Sequence, residues 1–334
     1  MKKVLLLATG GTRAAAKTDE GMNPELTPED LVAYIPEVAD ICQIDCKTIL
    51  NVDSTNVQPE DWQLMAKECY AALPYYDGFV ISHGTDTLSY SATALSFMLQ
   101  NPGKPVVLTG SQMSISDPEG DARKNLLDAF ITAASDLAGV YVTFYGKVML
   151  GSHTVKIRTQ SFDAFESVNA PLVGRIENNK LEILSDLKYE RQAGGTNPKL
   201  AAGLDPRVFV IKLIPGFDPE WLRELVKLDI HGIVIEAFCL GGLPFKGRDL
   251  LSAVNDLVDQ GIPVVMSTQV PFETTDLTIY EVGIKALKAG VIPTGVMTSV
   301  AVVTKLMWAL GQTKDLEEIR EIMMQDIALE TKDR

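Results

Sequence analysis

The chain reads as short apolar runs separated by longer stretches of helical period. Residues 4–8, 78–82 and 105–109 are unbroken or nearly unbroken apolar runs, the signature of strands buried on both faces. Residues 48–52 read as a further strand. Between these runs, apolar side chains recur every three or four positions. Helices are predicted over 28–34, with Thr27 as N-cap and Pro28 at the first position, and over 59–73, again with a proline just inside the start. Two more helices are predicted over 89–98 and 122–135, and residues 140–145 and 147–150 fit a hairpin. Strand–helix alternation of this kind predicts a mostly parallel sheet with helices on both faces.

The pattern changes at Glu190. Residues 191–199 are rich in Gly and Asn and have no period, as in an interdomain linker. A second α/β pattern follows, with strands at 208–212, 232–236 and 263–267. Helices start from Pro219, Asp249 and Tyr280, and a last helical stretch ends the chain. The expected fold class is therefore α/β, in two three-layer domains. A larger, doubly wound N-terminal domain spans 1–189, a linker 190–206, and a smaller parallel-sheet C-terminal domain 207–334. The length of 334 residues suits two cores.

In open α/β sheets, ligands bind at the carboxyl ends of the strands. Four polar turns fall there: 9–12, 53–56, 83–87 and 109–112. In Thr9-Gly10-Gly11-Thr12 the two glycines permit a tight turn, expose N–H groups and present a hydroxyl. Neither the Gly-Lys-Ser/Thr of a phosphate loop nor a dinucleotide glycine pattern follows. His83-Gly84-Thr85-Asp86-Thr87 places hydroxyls and a carboxylate at the next strand end. Each motif alone also suits a helix cap. Most lysines are solvated, but a desolvated Lys156 near Thr85 and Asp86 would help accept a proton, because burial lowers its pKa and makes the neutral amine available.

Charge and cysteine usage narrow the partners. The net charge is −14, from 30 basic and 44 acidic residues, which argues against nucleic acid. Cys42, Cys46, Cys69 and Cys239, with three histidines, lack the spacing of a metal site, so no metal is expected and the thiols read as reduced and mostly buried. The apolar run behind Met1-Lys2-Lys3 is too short for a signal peptide, and no run reaches membrane-spanning length. A cytoplasmic protein without a membrane partner is expected.

Taken together, these residues resemble the bacterial-type L-asparaginase family of asparaginase/glutaminase amidohydrolases. The resemblance covers nearly the whole chain and is closest in the first half. Thr9-Gly10-Gly11-Thr12 and His83-Gly84-Thr85-Asp86-Thr87 are highly specific as a pair. Asp53-Ser54, Leu108-Thr109-Gly110-Ser111-Gln112, Lys124-Asn125-Leu126-Leu127-Asp128 and Phe162-Asp163-Ala164-Phe165 also fit. The short linker and the start of the chain look like the cytoplasmic type I branch.

The resemblance implies Thr12 as nucleophile and Thr85, Asp86 and Lys156 as a second triad. It implies that Ser54 holds the substrate α-carboxylate and Asp86 the α-ammonium, and that a backbone carbonyl of the 110–112 turn receives the amide nitrogen. Gly11, Asp53, Thr55, Gly84 and Ser111 complete the implied substrate-binding set. The implied reaction converts L-asparagine to L-aspartate and ammonia through a threonyl ester, and leaves a weak glutaminase activity open. The implied assembly is a homodimer or homotetramer, without cofactor.

The chain departs from the family pattern in three places. Arg13 replaces the usual aliphatic residue after the nucleophile. The loop that often supplies a tyrosine has none, and Met22 stands near its position. Tyr280, in Thr278-Ile279-Tyr280-Glu281-Val282-Gly283, resembles a tyrosine that in cytoplasmic relatives reaches a neighbouring subunit's site, and is expected to substitute in part. Gly241-Gly242 occupies a turn where relatives often carry Asn. Two rival readings accompany these departures. The same domains occur in the amidase subunit of an archaeal Glu-tRNA(Gln) amidotransferase, which looks longer at its N-terminus. A catalytically dead asparagine or aspartate sensor would explain the missing tyrosine but not the retained Thr12, Thr85, Asp86 and Lys156.

Overall fold

The apolar run behind the first lysines becomes a buried strand, β1 (Lys2–Ala8), in an eight-stranded sheet. The structure, a computed structural model, describes residues 1–10, 26–184 and 197–331, and the backbone of 15–18 and 21–24. It divides into two units, Met1–Ala202 and Gly203–Arg334.

In the first unit β1 is followed by β2 (Ala15–Thr18), β3 (Gly21–Pro24), α1 (Pro28–Ala33), β4 (Cys42–Thr48), α2 (Pro59–Ala72), β5 (Gly78–Ser82), α3 (Leu88–Met98), β6 (Leu99–Gln100), β7 (Pro105–Thr109) and α4 (Ala122–Ala133). Then come β8 (Gly139–Phe144), β9 (Lys147–Leu150), β10 (Thr154–Lys156), β11 (Phe165–Ser167), β12 (Gly174–Glu177), β13 (Lys180–Ile183) and β14 (Lys199–Leu200). The large sheet runs β13-β12-β9-β8-β7-β5-β1-β4. All five residues of β5 and of β7 are buried. Successive side chains of a strand point to opposite faces, so both faces of the sheet are covered there. The helix starts follow local chemistry. At α1, Thr27 Oγ1 accepts from Asp30 N at 3.2 Å while the Asp30 carboxylate accepts from Thr27 N at 2.9 Å, with Pro28 at the first position.

One expectation is corrected and two are sharpened. The strand read at 48–52 is β4, Cys42–Thr48, which pairs with β1 from Lys2↔Cys42 to Ala8↔Thr48. It is the edge strand, half-exposed, and so carries no apolar run to betray it. The apolar pair Ile49-Leu50 instead closes over the end of β1, with both N–H groups donating to Ala8 O. Second, the sheet is mostly parallel as expected, with an antiparallel edge. Strands β4, β1, β5, β7 and β8 are parallel, whereas β9, β12 and β13 add antiparallel. The β8–β9 hairpin turns through Tyr145 and Gly146 at φ 51° and 72°, and the β12–β13 hairpin through Asn178 and Asn179 at φ 49° and 58°. Two consecutive left-handed residues are the turn that matches strand twist. Third, within the stretch read as linker, β14 pairs antiparallel with β6, and the unit boundary, after Ala202, falls inside that stretch. Residues 190–196 lie outside the described residues.

The second unit contains β15 (Val208–Lys212), α5 (Pro219–Leu225), β16 (Gly232–Ala237), α6 (Leu250–Asp259), β17 (Val264–Thr268), α7 (Glu281–Lys288), β18 (Ile292–Pro293), α8 (Ser299–Gln312) and α9 (Leu316–Met324). Its four-stranded sheet is parallel, in the order β15-β16-β17-β18. Alternation along the strands divides the core in two. Ile233, Ile235, Val264 and Met266 pack with Leu222 of α5, Val254 and Leu257 of α6 and Ala286 of α7. Val234 and Val265 pack with Val302 and Leu306 of α8 and Ile319 and Met323 of α9. This is a three-layer sandwich. Cys239, Gly241 and Gly242 all have left-handed backbone, φ 46°, 100° and 128°. A Cβ on Gly242 would lie 2.6 Å from Val282 Cγ2, so no larger residue fits this corner without moving α7. No helix among the described residues is long and apolar enough to cross a membrane.

Candidate active site

Parallel pairing brings three of the polar turns to one edge. Ala8 lies opposite Ser82, and Ser82 opposite Thr109. The ladder continues one step further: Thr9 N donates to Ser82 O at 3.1 Å and His83 N to Thr109 O at 2.9 Å. Thr9 Oγ1 also donates to Ser82 O at 2.7 Å. Residues 9–10, 83–87 and 110–112 therefore emerge side by side. The fourth turn joins them because Val52 N donates to Thr9 O at 3.1 Å.

Residues 53–56 form a tight turn. The Asp53 carboxylate accepts from Thr55 N at 2.8 Å and starts a single 3₁₀ turn, Ser54–Asn56. Ser54 is buried, and its Oγ accepts from Asp86 N at 3.2 Å, which leaves the hydroxyl proton to donate. Its carbonyl accepts from Thr87 Oγ1 at 2.7 Å. Gly84 makes this approach possible: a Cβ there would stand 2.6 Å from Ser54 Oγ.

Lys156, at the end of β10, reaches back 71 residues in sequence to the third turn. Its Nζ donates to Thr85 Oγ1 at 2.9 Å and to Asp86 Oδ1 at 2.7 Å. The lysine side chain is 18% exposed and that of Asp86 57%. Thr85 is buried, and Thr55 Oγ1 lies 3.4 Å from Asp86 Oδ2. The structure thus brings together Ser54, Thr55, Gly84, Thr85, Asp86 and Lys156. The result is a hydroxyl flanked by an ammonium, a carboxylate open to solvent and a buried serine, which together can bind a zwitterionic amino acid and order a hydroxyl for proton transfer.

Sequence reasoning missed the support of the 110–113 turn. Asp121 accepts from Gln112 N at 3.0 Å, from Met113 N at 3.1 Å and from Asn125 Nδ2 at 3.0 Å. Asn125 Nδ2 also donates to Gly110 O at 3.0 Å, and its Oδ1 accepts from Tyr145 N at 2.9 Å. Ser111, itself buried, closes the turn by donating from Oγ to Met113 O at 2.7 Å. A signal was available: Asn125 is a polar residue in a helix whose positions from 125 to 133 are all buried, and a buried amide needs partners. Thr85 Oγ1 also lies 3.3 Å from Gln112 Oε1.

Gly11, Thr12 and Arg13 lie outside the described residues; Met22 falls in β3, of which the backbone alone is described. Tyr280 belongs to the second unit. It holds the N-cap position of α7 with extended backbone, is 58% exposed, and makes no side-chain capping hydrogen bond. All four cysteines are free; Cys42 and Cys69 are buried, Cys46 is partly buried and Cys239 is exposed, where most were expected inside. Burial pushes the Cys42 and Cys46 thiols up to about 11, far from a reactive thiolate. Among the described residues no group of three His, Cys, Asp or Glu side chains is disposed to hold a metal ion.

Comparison with known proteins bears on both units. Residues 3–189 match the family model described as Asparaginase, N-terminal, and residues 207–323 the Glutaminase/Asparaginase C-terminal domain. The chain is similar to an L-asparaginase of Thermococcus kodakarensis, at 44% identity over 327 residues that cover 98% of each chain. The structure of the thermostable L-asparaginase from that organism superposes with a TM-score of 0.91 at 43% identity, covering 99% of this chain and 100% of the other. L-asparaginase I of Vibrio cholerae superposes at 0.89 and 30% identity, covering 99% of both. A component of the Glutamyl-tRNA(Gln) amidotransferase of Pyrococcus abyssi is 35% identical over 339 residues, covering 98% of this chain and 76% of that one.

Proposed function

Since the chain belongs to the asparaginase family and is an amidohydrolase, we propose that it hydrolyses L-asparagine to L-aspartate and ammonia through an ester on Thr12. The observation that carries this reading is the meeting of Lys156, Thr85 and Asp86, at 2.9 and 2.7 Å, beside the buried Ser54. An amide carbonyl is a poor electrophile, so its attack needs an ordered hydroxyl and donors for the developing oxyanion. In this reading Asp86 and Ser54 hold the α-ammonium and α-carboxylate, and the side-chain amide then faces the end of β1. The Thr12 oxygen forms the new C–O bond, and the amide nitrogen takes the electrons of the broken C–N bond together with the proton that Thr12 gives up, departing as ammonia. Water ordered at Thr85 cleaves the ester, releasing aspartate and restoring the Thr12 hydroxyl. N–H groups near Thr12 and Thr85 carry the oxyanion, and Asp53, Thr55, Gly11, Gly84 and Ser111 shape the pocket.

The protein acts in this reading as a cytoplasmic homodimer or homotetramer, and Tyr280 of one protomer completes a neighbour's site in place of the absent loop tyrosine. The higher identity to an L-asparaginase than to the amidotransferase component supports a free amidohydrolase.

Ammonia release from L-asparagine by the purified protein is the test. Thr12→Ala is expected to abolish it, while tight asparagine binding with no release by the unaltered protein would sink the enzyme reading. Activity that appears only with a second protein component and charged tRNA would shift the assignment to the amidotransferase. An unchanged rate in Tyr280→Phe would remove that residue from the site.

A further inference from the structure

Gln112 has no role in the reading above, yet its side chain spans the gap between Thr85 and the loop that follows Lys156. Its amide has a determinate orientation. The main-chain carbonyls of Thr159 and Ser161 each lie 3.1 Å from Nε2. A carbonyl only accepts, so the group facing both is the NH2, and Oε1 is turned toward Thr85 Oγ1 at 3.3 Å. An amide oxygen also only accepts. Lys156, as the ammonium ion-paired with Asp86, only donates, and it donates to the same Thr85 oxygen. Every hydrogen in the chain then has one direction: Lys156 to Thr85, Thr85 to Gln112, and Gln112 to the loop carbonyls. The far end is anchored too, because Gln112 N is held by Asp121 at 3.0 Å.

We propose that Gln112 is a positioning residue that fixes the Thr85 hydroxyl proton away from Lys156. This deepens the asparaginase reading and rests on it for its catalytic consequence. A hydroxyl oxygen has two lone pairs. With one occupied by Lys156 and the proton committed to Gln112, the second is left to accept from the water that cleaves the ester. Thr85 is thereby preset as an acceptor rather than free to rotate. The 3.3 Å separation is long for a hydroxyl donor.

Neutron diffraction from ligand-free crystals exchanged into D2O tests the direction itself. Deuterium on Thr85 aimed at Gln112 Oε1 is the expected result, and deuterium aimed elsewhere overturns the proposal. This arm needs no activity, so it decides the point even if L-asparagine proves not to be the substrate. Kinetics on L-asparagine then separate positioning from mere loop anchoring. Gln112→Met removes both the acceptor and the donor; kcat is expected to fall ~10- to 100-fold with KM changed less than about threefold. Gln112→Glu keeps an acceptor for Thr85 but has no N–H for the loop. It is expected to recover most of kcat. Equal losses in the two variants, or no loss in either, would overturn the assignment.

Discussion

Lys156 makes two charge-assisted contacts from one nitrogen, to Thr85 at 2.9 Å and Asp86 at 2.7 Å. Lys156→Met keeps the length of the side chain and removes the donor. Initial-rate assays of ammonia release are expected to show a loss of about 10²- to 10⁴-fold in kcat, with circular dichroism unchanged. Gly84 acts differently, through space rather than chemistry. In Gly84→Ala the new methyl would stand 2.6 Å from Ser54 Oγ and 2.8 Å from Ser54 Cβ, so the serine must shift. A displaced hydrogen bond to a charged group corresponds to roughly 10- to 100-fold in affinity. The expected outcome is a rise of that order in KM for L-asparagine with a smaller change in kcat; a KM left as it was would separate Ser54 from carboxylate binding.

Helix α4 shows how one element serves both site and core. Its first turns hold the 110–113 turn through Asp121 and Asn125, and the rest is buried in the unit. Asp128 is the exception within the buried stretch. Its side chain is 0% exposed, Oδ1 is paired with Lys124, and Oδ2 has no hydrogen-bond partner among the described residues. Burial raises its carboxyl to about 6, only partly offset by Lys124. The native state therefore binds a proton more tightly than the unfolded chain, and stability falls as pH rises from about 4 through about 6. Asp128→Asn carries no charge to desolvate. Urea denaturation is expected to show it more stable than the natural chain at pH 8, by about 1–3 kcal/mol, with the gain fading below about pH 4. A gain independent of pH would point to packing instead.

At the scale of the whole molecule, each unit has its own core, and the second closes on a buried ion pair. Lys305 and Glu330 are both 0% exposed. Lys305 Nζ also donates to Met323 O at 3.0 Å and Gln325 O at 2.6 Å, and the Glu330 carboxylate accepts from Ala328 N at 2.6 Å. Burial holds the lysine below its ordinary range, and the glutamate opposes that shift. The pair ties the chain after α9 to α8. Removing one partner strands the other charge, so Lys305→Met and Glu330→Leu are each expected to cost about 3–5 kcal/mol in thermal or urea unfolding. The double variant is expected to lose much less than the sum of the two. Hydrogen exchange is expected to quicken in α8 and α9 of the single variants while β1, β5 and β7 keep their protection, since those strands belong to the other unit.

Local pattern carried much of the architecture. Strands β5, β7, β9 and β15 were legible to the residue as apolar runs bounded by polar turns; in β5, β7 and β9 the run reports burial, whereas β15 is an edge strand that keeps its apolar run although most of it is exposed. The motifs at the carboxyl ends of β1, β5 and β7 were legible for the same reason, and with them the family. Edge strand β4 was not legible, because it carries no such run. The antiparallel addition of β12 and β13 was missed because paired asparagines give a weaker turn signal than Asn-Gly. The sequence by itself put hydroxyls, a carboxylate and a lysine into a few short motifs, and through the family resemblance implied Thr12, Ser54, Thr85, Asp86 and Lys156 as site candidates. Only the tertiary structure decided that Lys156 bonds Thr85 and Asp86 together, and that Gln112 receives what Thr85 donates. Those contacts span 71 and 27 residues of sequence. Periodicity encodes which face a side chain buries, whereas the partner it meets depends on strand register and loop path, which no local stretch of chain contains.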